Sequence, residues 1–238
     1  DGDTLLERGP FRFAVFPRRG GHAPELDKAA HLEQLGRLLG RIHAIGATRS
    51  FAHRPALTIE SYGDDACRYL LDNGFIPFEL ESAYESLASQ VLRHVRFCFD
   101  RAVSTRYLRL HGDCHAGNVL WSPQGFHIVD LDDARTGPAV QDLWMFLSGD
   151  REYQTARLHD LLKGYTQFCE FDVRELNLLE ALRTLRMTHY HAWLARRWSD
   201  PAFPRAFPWF NTQRCWENHI LSLREQVALM EEPPLAWP

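Results

Sequence analysis

The chain has 238 residues, 45% hydrophobic and 24% charged, with a formal net charge of −4. That length and balance suit one large globular domain, or one domain with part of another, with ample material for a buried core. The mild acidity and the lack of any local basic run argue against a nucleic-acid groove, so no nucleic-acid partner is expected.

The cysteines Cys67, Cys98, Cys114, Cys169 and Cys215 are scattered, odd in number and never spaced Cys-x-x-Cys. This suggests neither a disulfide framework nor a zinc knuckle and fits a reducing cytoplasm, the expected location. No apolar stretch approaches the ~20 residues of a bilayer span, and Asp1-Gly2-Asp3 does not resemble a signal peptide, so no membrane partner is expected. Of the 27 basic residues only Lys28 and Lys163 are lysines, and the first residue is not Met, from which a segment upstream of Asp1 is expected.

In chain order, Phe11 to Phe16 is aromatic and β-branched and stops at Pro17 and Gly20-Gly21, which predicts a strand leaving into a flexible connector. Leu32, Leu35, Leu38, Leu39, Ile42 and Ile45 recur at helical spacing, with Arg41 and His43 in the last turn, and Tyr84, Leu87, Val91, Leu92 and Val95 repeat the pattern. Leu108 to Leu131 reads as short paired strands joined by loops, with a turn at Pro123-Gln124-Gly125. Helical periodicity resumes over Leu158 to Phe168, Leu176 to Leu185, and from about Gln213 to Met230. Between Trp193 and Phe210, Trp, Phe and Pro crowd around Arg196, Arg197 and Arg205. This reads first as a structural collar and second as a substrate-docking surface.

The chemistry concentrates in the block of strands. In His111-Gly112-Asp113-Cys114-His115-Ala116-Gly117-Asn118 a carboxylate precedes an amide by five positions in a glycine-containing loop after a short apolar strand. Kinase catalytic loops use that spacing: the Asp accepts the proton of the substrate hydroxyl and the Asn holds Mg²⁺. Here Gly112 stands where those loops have Arg. A second acidic element, Ile128-Val129-Asp130-Leu131-Asp132-Asp133, ends a strand that the Pro123–Gly125 turn folds back beside Asn118 to Trp121, which brings Asp130 close to Asn118. One carboxylate and one amide, completed by phosphate oxygens and water, suit Mg²⁺. The rival chemistry is a zinc hydrolase using His111, Asp113 and His115, but the glycines argue for a loop and no further cluster completes a ligand set.

The run from His111 to Trp121, with Phe126 to Leu147 and its Gly137-Pro138-Ala139-Val140-Gln141-Asp142-Leu143-Trp144, resembles the bacterial stress-response protein kinases of the aminoglycoside phosphotransferase and choline kinase superfamily. Phe13 to Pro17 resembles their interlobe hinge, and Arg196-Arg197-Trp198, Asp200 to Pro204 and Glu232-Pro233-Pro234 their carboxy-terminal signature. The resemblance implies an α+β, protein-kinase-like fold. Residues 1–21 would end the β-rich amino-terminal lobe and form the hinge, and residues 22–238 would form the helical catalytic lobe. It implies Asp113 as proton acceptor, Asn118 as Mg²⁺ ligand and Asp130 as metal-binding acid. ATP would sit against the backbone of Val15, Phe16 and Pro17, and the family's activity is Ser/Thr phosphorylation in the cytoplasm.

The chain departs from a complete kinase in having no Gly-x-Gly-x-x-Gly loop and no lysine ahead of the hinge. Half a cleft is therefore expected: a stable lobe with little turnover alone, unless Arg18 or Arg19 grips the phosphates. Asp142 is expected to open a helix behind the site and to accept backbone N–H bonds from the catalytic loop. His115 contacts phosphate or is structural, Asp132 and Asp133 extend the metal site or pair with Arg135, and Cys114 beside the base is a candidate oxidation site. The expected activity is transfer of the γ-phosphoryl group of ATP to a protein Ser or Thr by a monomer. The alternatives are a kinase of an aminoglycoside, choline-like or homoserine-like alcohol, and a non-catalytic interaction module. An acidic pocket above Asp113 would favour amine-bearing small substrates, and an open shelf a protein loop.

Overall fold

The computed structural model describes residues 5–18 and 20–237, so Asp1 to Thr4, Arg19 and Pro238 lie outside the described residues. A short antiparallel hairpin of β1 (Leu6–Arg8) and β2 (Phe11–Phe13) leads into the extended segment Ala14 to Arg18. The expected strand to Phe16 thus ends at Phe13. The expected flexible connector is fastened instead: His22 donates its N–H to the Trp121 carbonyl (3.0 Å) and accepts the Trp121 N–H (2.8 Å). Gly21 permits that approach, because a Cβ there would stand 2.8 Å from the Trp121 oxygen.

α1 (Ala29–Gly46) carries the first leucine repeat and lies against α4 (Arg151–Tyr165). The backbones meet closely because Gly36 and Gly40, one turn apart, face α4, and Gly164 faces α1. A Cβ at any of these positions would collide with a carbonyl of the opposite helix. α3 (Phe78–Arg101) packs on α7 (Gln213–Glu231), and both meet α5 (Leu179–Arg196), whose leucines and alanines are buried among them. α6 (Ala202–Ala206) falls within the aromatic collar.

The periodicities do not mark the π-helical turn Glu60–Asp64 or α2 (Asp65–Asp72), into which it runs. Its sequence is polar and short and contains Gly63, whose missing side chain makes room for Leu92 and Leu185. The helix depends on that packing rather than on propensity.

The remaining strands form two separate pairs. β4 (Val119–Ser122) and β5 (Gly125–Ile128) make the expected hairpin, with Val119 opposite Ile128 and Trp121 opposite Phe126. β3 (Tyr107–Leu110) pairs with β6 (Arg135–Pro138), beyond the block that the sequence marks as strand-rich. Arg-Thr-Gly-Pro has no strand pattern; pairing on both edges holds it, since Thr136 also bonds to Pro55 and Leu57. β3 and β6 deliver the two ends of the catalytic segment side by side.

Candidate active site

Beyond Leu110 the chain turns sharply, and Gly112 takes φ +88°, a left-handed conformation in which a Cβ would collide with the Asp133 carbonyl. Glycine therefore stands where kinase loops have arginine because no side chain fits. Asp142 fixes the turn from behind, accepting the N–H of His111 at Oδ2 (2.7 Å) and that of Gly112 at Oδ1 (2.8 Å). Gln141 adds a bond from Nε2 to the Gly112 carbonyl (3.0 Å). The expected backbone bonds are present, but Asp142 ends a 3₁₀ turn, Ala139–Asp142, rather than opening a helix.

Asp142 is itself held by α1 and α4. His43 Nε2 lies 3.0 Å from Asp142 Oδ2, and His43 Nδ1 lies 2.9 Å from the Tyr165 hydroxyl, all three residues fully buried. Burial pushes the Tyr165 phenol far up, so it keeps its proton, and because a carboxylate only accepts, His43 turns an N–H at Nε2 to Asp142 and its Nδ1 to the phenol. His111 has both nitrogens engaged, Nδ1 accepting the Asp113 N–H (3.3 Å) and Nε2 donating to the Val129 carbonyl (2.8 Å). That occupancy removes it from the zinc alternative.

Asp113 is presented on this frame. Arg186 of α5 brings Nη2 to 2.8 Å from Asp113 Oδ1, which is buried, while the Asp113 side chain as a whole stays partly exposed. His115 Nε2 stands 3.5 Å from Oδ2, while its Nδ1 accepts the Gly117 N–H (2.9 Å). The His115 imidazole is thus committed to the loop and to Asp113. Sequence reasoning passed over Arg186, which shares a helix with the leucine repeat but faces away from it.

Asn118 donates Nδ2–H to the Asp113 carbonyl (3.0 Å), which leaves its side-chain oxygen free as a donor atom for a cation. Its own carbonyl accepts the Val129 N–H (3.0 Å), so Asp130 follows one residue after the point where the two motifs meet. Asp130 is exposed and takes φ +64°, uncommon outside glycine and least costly for Asp and Asn. A hard oxygen from each residue fits Mg²⁺. Asp133 is occupied otherwise: Arg135 Nη2 contacts its Oδ1 at 2.6 Å and Arg135 Nε donates to its carbonyl (2.8 Å). Arg54 donates to the Asp132 carbonyl.

Cys114 does not fit the oxidation role. It is fully buried, and burial, with Asp142 and Asp113 adding to it, raises its thiol well above the ordinary range. Val15 and Phe16 are exposed, as is Pro17, and among the described residues their backbone groups bond to no other segment.

A cavity of about 190 Å³ opens beside Asp113, lined by Tyr62, Asp133, Gln141, Arg186, His189, Tyr190 and Trp193 as well as Gly112. Burial raises Tyr62 to about 12 and, with Arg135 adding to it, lowers His189 to about 4, so both rings are neutral near pH 7. The cavity's two carboxylates each have an arginine partner.

A helical lobe carrying a hairpin and an Asp–Asn loop defines the class: a protein-kinase-like phosphotransferase fold. The model of the phosphotransferase enzyme family matches residues 1–179, and the chain belongs to that family. It is 44% identical over 239 residues to stress response kinase A of Escherichia coli K12, covering 99% of this chain and 71% of that protein. It is 42% identical over 235 residues, with the same coverage, to the serine/threonine protein kinase RdoA of Salmonella typhimurium LT2. Among solved structures, the amicoumacin kinase hAmiN superposes with a TM-score of 0.65 at 17% identity, covering 99% of this chain and 71% of that one. A choline kinase from Cryptosporidium parvum superposes with a TM-score of 0.61 at 11% identity, covering 95% and 73%.

Among the described residues no helix is long and apolar enough to cross a membrane.

Proposed function

We infer that the chain forms the catalytic lobe of an ATP- and Mg²⁺-dependent kinase that phosphorylates protein Ser or Thr residues in a cytoplasmic stress response, acting as a monomer. The Asp113 carboxylate takes the proton of the acceptor hydroxyl as the hydroxyl oxygen bonds to the γ-phosphorus, and the bond from that phosphorus to the β-phosphate oxygen breaks to release ADP. Asn118 Oδ1 and the Asp130 carboxylate would hold Mg²⁺, which would neutralise charge on the phosphates. Val15 and Phe16 offer N–H groups, and these two with Pro17 offer carbonyls, to the adenine edge. Pro17 has no N–H to give. The division into a hinge segment through residue 21 and a lobe over 22–238 belongs to the same proposal.

The observation that carries the protein-substrate reading is the cavity at Asp113. It is smaller than the roughly 300–1,000 Å³ of sites that enclose a drug-sized molecule, and its carboxylates are matched by arginines, so no unpaired carboxylate there draws in an ammonium-bearing substrate. A Ser or Thr side chain reaching in from a surface segment fits that volume. The names of the relatives at 44% and 42% identity point the same way.

The reading is checked by incubating the enzyme, as encoded by its gene, with γ-labelled ATP and Mg²⁺, offering Ser/Thr peptides in competition with choline, aminopropanol and aminoglycosides. Label is expected on phosphoserine or phosphothreonine. Label confined to a small alcohol would overturn it in favour of the small-molecule alternative.

A further inference from the structure

α5 lines the candidate site with more than Arg186. Arg186, Tyr190, Trp193 and Arg197 follow at intervals of four, three and four, which places them along one stripe of the helix and its cap. The stripe begins at Asp113, where Arg186 forms its ion pair, and passes Tyr190 and Trp193, whose rings stack with centroids 6.0 Å apart at 11°. It ends at Arg197, whose guanidinium lies 4.4 Å from the Trp193 ring centroid. Phe203 and Phe207 of the collar hold Trp193 from the side, with centroids 5.3 and 6.4 Å away. The collar is thus structural, and its aromatic contacts keep one edge of the site in place.

At 1.5 Å per residue the stripe runs about 16 Å from Arg186 to Arg197. An extended peptide crosses that distance in about five residues. Among the described residues Arg197 has no carboxylate within salt-bridge distance, and the nearby Asp200 carboxylate accepts the Ala202 N–H (2.9 Å). An exposed guanidinium, braced on an aromatic plate and lacking a counter-charge, is matched by an anionic side chain.

We propose that this stripe is the docking track for the peptide flanking the acceptor hydroxyl, and that Arg197 selects an acidic residue about five positions from the acceptor Ser or Thr. The proposal rests on the reading of the acceptor as a protein side chain. Tyr190 and Trp193 pack against the intervening residues, while Arg186 marks the end at which the hydroxyl meets Asp113.

The test is a set of Ser peptides bearing Asp, Ala or Lys at successive positions on either side of the acceptor, phosphorylated by the gene-encoded enzyme and by its Arg197→Glu variant. For the wild type, kcat/KM is expected to be about threefold to tenfold higher with Asp than with Lys at one position about five residues away. Arg197→Glu is expected to reverse that order, a result that loss of fold cannot produce. Rates independent of flanking charge, or an Asp preference that survives Arg197→Glu, would overturn the track and leave the protein-kinase reading standing. Failure to label any peptide, with a small alcohol labelled instead, would overturn that reading and the track together.

Discussion

Asp113→Asn, introduced into the enzyme as encoded by its gene, is expected to lower turnover by about 10²–10⁴-fold while leaving thermal unfolding near the wild-type temperature. The substitution keeps the volume of the side chain. The loop around it is held by bonds that do not involve that carboxylate: Asp142 to the backbone of His111 and Gly112, Gln141 to Gly112, and Asn118 to the Asp113 carbonyl. An amide cannot take the hydroxyl proton. Steady-state labelling of a Ser/Thr peptide beside a melting curve separates the two effects, and near-normal labelling would remove Asp113 from its role.

Asp142→Ala is expected to act in the opposite way, through the fold. The carboxylate is fully buried and accepts from two backbone N–H groups and from His43, so its removal strands three donors away from water. Leaving buried donors unsatisfied costs about 1–3 kcal/mol each, so a loss of several kcal/mol is expected. For a chain of this length that is a fall in melting temperature of roughly 10 °C. Turnover should fall as well, because Gly112 and Asp113 lose their frame, and Asp142→Asn should lie between because it keeps one acceptor. An unchanged melting temperature for the Ala variant would mean that the His43–Asp142 link does not support the loop. Differential scanning calorimetry on purified wild type and variant supplies the comparison.

The parts legible in the sequence are those whose signal is local. The helices α1, α3, α4, α5 and α7 carry apolar residues at helical spacing, and the β4–β5 hairpin carries its own turn, so the approach of Asp130 to Asn118 follows from pairing alone. Loop geometry was legible too, since the nearness of Asn118 to Asp113 and the acceptor role of Asp142 are written within short runs. The parts that escaped depend on distant partners. β6 is a strand only because β3 and the Pro55–Leu57 segment pair with it, and α2 exists because Gly63 lets the chain settle on Leu92 and Leu185. Arg186 reaches Asp113 from a helix remote in sequence, and no pattern within α5 announces it. Cys114 looked reactive because its neighbours are polar, whereas its own side chain points into the core.

The proposed site turns on one pairing, Asn118 with Asp130, which would hold Mg²⁺ beside the base. The most direct measurement is the affinity of the gene-encoded enzyme for Mg²⁺-ATP by titration calorimetry, with Asn118→Ala, Asp130→Ala and Asp132→Ala compared under one salt condition. Asp130→Ala is expected to weaken binding most because it removes the negative charge, Asn118→Ala less, and Asp132→Ala least, since neither motif bonds to the Asp132 side chain. Normal Mg²⁺-ATP binding by Asp130→Ala, with loss in Asp132→Ala, would contradict this and move the metal to the other carboxylate.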